Sequence, residues 1–121
     1  MLDFTGYACV NCRKMEASVW PDKDVYKLLN DELVIIQLYV DDKTALPEGE
    51  QFVSTFSGKK IQTIGNKWSD FQASKFNSNS QPYYVLLNPV DEEILVKPIG
   101  AEYEPKSYYN FLQSAIDQYR K

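Results

Sequence analysis

Apolar residues fall into short blocks along this chain, and the spacing inside each block predicts its element. Met1–Phe4 reads as the end of a buried strand that leads into a loop over Thr5–Ala8. Asn11–Ser18 reads as a helix, interrupted at Pro21. A second helical stretch follows, with Val25, Leu28 and Leu29 on one face and Asp22 as its N-cap. Glu32–Val40 is apolar and β-branched, the pattern of a central strand. Its apolar run, Leu33–Val40, is broken only by Gln37.

Asp41–Asn66 is polar and carries Pro47, Gly49, Gly58 and Gly65. It is long for a connection in a compact domain, so it reads as an insertion. Within it, Gln51–Ser57 and Lys59–Thr63 flank a Ser57-Gly58 turn and predict a small hairpin. Lys67–Phe76 reads as a helix with Trp68, Phe71 and Phe76 roughly on one side, and Asn77–Gln81 as a polar loop ending at Pro82. Tyr83–Leu87 is a strand, Asn88-Pro89 opens a turn, and Ile94–Val96 returns as an antiparallel partner. Pro105 fits the first residue of a final helix, whose stripe is Tyr108, Leu112, Ala115, Ile116 and Tyr119. The order predicts an α/β fold, a central mixed sheet with helices on both faces.

Composition narrows the classes. At 121 residues, with 44% hydrophobic and 25% charged, the chain is one domain, 1–121, with one core. A net charge of −4 argues against nucleic acid, which calls for a basic stripe. The nine tyrosines are scattered and read as cover for core edges. No segment approaches the roughly 20 apolar residues of a membrane span, and no signal peptide begins at Met1.

The chemistry lies in Cys9-Val10-Asn11-Cys12, which holds the only two cysteines. Two intervening residues let the sulfurs close a disulfide across the first turn of a helix. The first sulfur then sits at the helix N-terminus, where unpaired N–H groups favour a thiolate. Zinc wants four ligands, and the chain has no His and no third Cys. Copper(I) would suit the sulfurs and Met15, but no Met lies just before Cys9. A structural disulfide gains little from so short a loop. Redox exchange is the leading reading, with a copper-binding or inert module as the alternative. On helix geometry Cys9 is the nucleophile and Cys12, one turn inside, resolves the mixed disulfide.

Asp3-Phe4-Thr5-Gly6-Tyr7-Ala8-Cys9-Val10-Asn11-Cys12-Arg13-Lys14 resembles the active-site stretch of the thioredoxin superfamily. That family carries a buried Asp six residues ahead of the first Cys of a CxxC, and a basic residue after it. Pro82 matches the family's cis-proline and Gly100 its late glycine. The resemblance implies a thioredoxin-like fold whose first strand and helix are missing here, as in a piece of a longer protein. Leu2-Asp3-Phe4 with Cys9–Glu16 is further similar to the C-terminal periplasmic domain of the transmembrane thiol:disulfide interchange (DsbD) family. That group has a CVxC motif and an acidic residue four positions after its second Cys, where Glu16 stands.

The similarity implies a disulfide reductase without a bound cofactor or metal, whose partners are protein thiols and disulfides. Electrons would come from a membrane-embedded domain of the same protein and pass to a periplasmic acceptor domain, supporting client reduction or cytochrome c maturation. It implies a periplasmic location and a monomeric isolated domain. An oxidase or isomerase is the rival within the same chemistry. Asp3, buried under the pair, would exchange a proton with Cys12. Glu16, one turn past Cys12, would join it, and the two carboxylates would make Cys9 weakly acidic. A cis Gln81–Pro82 bond would present the Gln81 backbone to an extended partner. Tyr7, Ala8, Val10 and Asn11 would line the docking surface, with Ala8 standing where the family often has Trp. Arg13 and Lys14 read as solvation of the helix.

Overall fold

The computed structural model describes every residue, Met1–Lys121, and is α/β with four helices and a small mixed sheet. Strand β1 (Leu2–Thr5) is the centre of a three-stranded sheet. On one side it pairs in parallel with β2 (Ile36–Tyr39), and on the other in antiparallel with β5 (Tyr83–Val85). Helices α1 (Val10–Ser18) and α2 (Lys23–Asp31) connect β1 to β2. Helix α3 (Ile64–Phe76) precedes β5, and α4 (Pro105–Tyr119) closes the chain.

Residues alternate across the sheet with period two. Phe4, Leu38 and Val85 face α3, where the rings of Phe71 and Phe76 pack on Phe4. The opposite face carries Tyr84 and Leu86 into the main core, built with Met15, Val19, Val25, Leu28 and Leu112. Asp3 belongs to this second face, because it stands opposite Gln37 on β2 and Tyr84 on β5. A carboxyl therefore sits in the middle strand between two layers of apolar side chains.

Most helix boundaries follow local chemistry. Asp22 caps α2 by accepting from the N–H groups of Asp24 and Val25. Pro105 opens α4. Four expectations are corrected. The strand expected over Glu32–Val40 is only Ile36–Tyr39, because β1 offers a ladder no longer than that and Glu32 still ends α2. Helix α3 begins at Ile64 rather than Lys67, since the Thr63 hydroxyl accepts from Asn66 N–H and caps it there. The Ile94–Val96 strand reduces to isolated bridges at Leu87–Ile94 and Tyr84–Ile99. The bridged residues are three apart on one side and five on the other, so a bulge that includes Pro98, which has no N–H, breaks the ladder. On α4, Tyr119 is 50% exposed, and Phe111 instead joins the buried stripe.

The 41–66 segment holds one 3₁₀ turn (Glu48–Glu50) and a short hairpin of β3 (Phe52–Val53) with β4 (Lys60–Ile61). The hairpin is shorter than the residues 51–63 suggest. Ser54 pins it to α3: its hydroxyl donates to Asp70 and accepts from Phe56 and Ser57 N–H.

Candidate functional site

The carboxyl ends of β1 and β2 and the amino end of β5 meet at one edge of the sheet. Beyond β1, Gly6–Ala8 turns the chain, with Cys9 N–H donating to the Gly6 carbonyl, and α1 starts at once. Cys9 is the N-cap: its Sγ accepts from Cys12 N–H at 3.2 Å. Cys9 and Cys12 are joined as a disulfide with their Cα atoms 5.3 Å apart. Cys12 is 1% exposed, whereas Cys9 is only partly buried. One sulfur is thus reachable from solvent and the other is sealed behind it.

On the face of the sheet that carries Asp3, a polar network runs from the buried carboxyl out to the exposed Gln37. Asp3 is 1% exposed, and its Oδ2 accepts from Gln37 Nε2 at 3.1 Å. Its Oδ1 has no partner at all. Gln37 Nε2 also reaches Glu16 Oε2 at 3.3 Å. Arg13 donates through one nitrogen to the same Glu16 oxygen at 3.0 Å and to Thr5 Oγ1 at 2.9 Å. Burial pushes the Asp3 carboxyl up to about 6. The Gln37 hydrogen bond opposes that rise, the Glu16 charge adds to it, and the Arg13 charge opposes it. A carboxyl poised there can hold or release a proton near neutral pH.

Arg13 therefore does more than solvate its helix: it is built into the carboxylate network. Lys14 is also engaged, its Nζ 4.4 Å from the centre of the Tyr103 ring. The exposed surroundings of Cys9 are Tyr7, Ala8, Val10 and Asn11. Tyr7 is stacked on Tyr39 with ring centres 4.1 Å apart.

Gln81–Pro82 is cis, and Pro82 is buried one residue beyond the Phe4–Tyr83 pair, at the edge where the cysteines sit. The Gln81 side chain turns into its own loop, donating to Gln72 Oε1 and to the Asn79 carbonyl. Gln72, fully buried on α3, also donates to Ser80 O and Ser78 Oγ, and so ties down the whole approach to Pro82. A Cβ on Gly100 would lie 3.5 Å from the Pro82 carbonyl, an ordinary contact, so space alone does not require glycine there.

Two further residues belong to the site. Asp41, just past β2, accepts from Tyr7 N–H at 2.9 Å and Ala8 N–H at 3.1 Å. It holds the loop that delivers Cys9, and a Cβ on Gly6 would crowd its carboxylate at 3.1 Å. Gln37 is the second. Only their polar identity at the break and end of an apolar strand marks either one in the sequence. No group of three or more His, Cys, Asp or Glu side chains converges as a metal site, and no helix is long and apolar enough to cross a membrane. No family model matches the chain, and no curated protein is similar to it at a significant level.

Proposed function

We propose that this chain is a thioredoxin-like thiol–disulfide exchange domain that acts as a disulfide reductase. The observation that carries the reading is a partly exposed Cys9 bonded to a sealed Cys12 at the start of α1, with the buried Asp3 carboxyl on the adjacent strand. In the reduced form the Cys9 thiolate attacks a partner disulfide. One S–S bond breaks, the partner's first sulfur leaves as a thiolate and takes a proton, and a mixed disulfide forms. Cys12 then loses its proton to the Asp3 carboxylate and attacks Cys9. The partner's second sulfur leaves as a thiolate and takes a proton, Asp3 gives its proton up to solvent, and Cys9–Cys12 closes. Two electrons pass from the two cysteines to the partner disulfide, protons are exchanged with solvent, and no cofactor takes part.

The residue string around the pair, CVxC followed by Glu16, supports the narrower reading of a DsbD-like domain. Its dithiol would be restored by a membrane-embedded domain of the same protein, and its electrons would pass to a periplasmic acceptor. Tyr7, Ala8, Val10 and Asn11, exposed around Cys9, would form the docking surface, beside the cis-proline loop.

Equilibration of Cys9–Cys12 against dithiothreitol and glutathione buffers tests the reading. A reduction potential near thioredoxin's, roughly −270 mV, is expected of a reductase. A value near or above about −180 mV would move the assignment to an oxidase or isomerase. A pair that never closes reversibly would end the redox reading.

A further inference from the structure

Gln37 is the polar residue that interrupts the apolar run Leu33–Val40, and it is solvent-exposed on β2. Its register partner is Asp3, so both side chains leave the sheet on the same face. From there the Gln37 amide meets three groups. Its nitrogen donates to Asp3 Oδ2 at 3.1 Å and to Glu16 Oε2 at 3.3 Å, and its oxygen accepts from the Tyr39 hydroxyl at 3.4 Å. This is the orientation in which every contact joins a donor to an acceptor. Reversed, the amide would set its carbonyl oxygen against two carboxylates.

We propose that Gln37 is a positioning residue of the Cys9–Cys12 site, holding Asp3 and Glu16 on one amide nitrogen so that the two carboxyls act on the sulfurs as a unit. Tyr39 sets the amide's direction, and its ring is stacked on the exposed Tyr7. The hold thus extends from the buried carboxyl to the surface around Cys9. Its consequence for the thiols rests on the exchange reading above; the tie between the side chains does not.

The groups facing Asp3 are Glu16 and Arg13 from α1, Gln37 from β2, Tyr84 from β5 and Tyr108 from α4. Burial raises both tyrosines far above their ordinary range, so neither ionises near neutral pH. Glu16, Arg13 and Gln37 are left to tune Asp3, and Gln37 alone touches both carboxylates while carrying no charge.

The test is a carboxyl-carbon NMR titration of the oxidised protein, with Asp3→Asn used to assign the signal. Gln37→Met keeps the length of the side chain and removes both donors. The Asp3 midpoint is expected to rise by about one pH unit, because the ionised form loses its hydrogen bond. Tyr39→Phe keeps the stacked ring and frees the amide, and a smaller rise is expected. In the reduced variants, the matching inflection in the pH profile of exchange with a small aromatic disulfide is expected to move by the same amount.

An unmoved Asp3 midpoint in a Gln37→Met protein of wild-type Tm would overturn the proposal. Were that variant to fail to fold, an unmoved midpoint in Tyr39→Phe would do the same. A midpoint that moves in a protein whose disulfide never closes reversibly would uphold the tie and end only the exchange reading.

Discussion

Asp3 and Asp41 both feel the charge of Arg13, yet their surroundings push them in opposite directions. Asp3 is sealed in the core, has one donor, and is pushed up to about 6. Asp41 is exposed beyond β2. What burial it has pushes its carboxyl up, but the N–H groups of Tyr7 and Ala8 and the Arg13 charge outweigh that and hold it below the usual carboxylate range. The first is suited to proton exchange, and the second stays ionised and serves as a fixed acceptor for the loop before Cys9. Asp41→Asn sets an amide nitrogen against one of those N–H groups. Hydrogen exchange at Tyr7 and Ala8 is expected to accelerate on the order of tenfold, with β1 amides unchanged. Equal exchange rates at Tyr7 and Ala8 would remove Asp41 from the account of how Cys9 is held.

At the scale of elements, α3 is locked to the end of β2 by backbone contact. Gly65 N–H donates to the Asp42 carbonyl at 2.9 Å, and Ile64 N–H to Thr44. A Cβ at Gly65 would fall 2.6 Å from the carbonyl oxygens of both Val40 and Asp42. Gly65→Ala therefore forces the helix off the strand, and a loss of about 3 kcal/mol in urea unfolding is expected. Gly49→Ala, with nothing within 4 Å, is the control and is expected to be near neutral. A Gly65→Ala protein as stable as this control would mean that α3 is free to shift.

What the sequence made legible divides along the same line. The Asp22 cap, Pro105 and the Cys9 turn are local, and each is written in residues a few positions apart. The strand expected over Ile94–Val96 is reduced to bridges because alternation does not register a bulge beside Pro98. Gln37 and Asp41 show in the sequence only as the break and the end of an apolar run, since each reaches a partner 34 residues away, Asp3 and Tyr7 respectively. Nothing short of the β1–β2 register brings those pairs together.

For the molecule as a whole, the site conflicts with stability at Asp3. The native state binds a proton there with a midpoint of about 6, against an ordinary value of 3.8. Between those values the folded chain holds more protons than the unfolded one, so stability falls as pH rises, and the loss levels off above about 6. The full loss is about 3 kcal/mol, a large part of what a domain of this size has to spare. Asp41 and Asp42 act with the other sign: both are held low, so their contribution is present above the ordinary carboxylate value and fades as pH drops through their folded midpoints. Their effect cancels when wild type is compared with Asp3→Asn, which retains an oxygen to accept from Gln37. In urea unfolding of the oxidised proteins, the two are expected to differ by a constant amount below about pH 4. The difference should then move in favour of Asp3→Asn by about 3 kcal/mol as pH approaches 8. A difference that stays flat over that range would mean that Asp3 ionises as freely in the core as in the unfolded chain. It could then not serve as the neutral-range proton acceptor that the exchange proposed for Cys12 calls for.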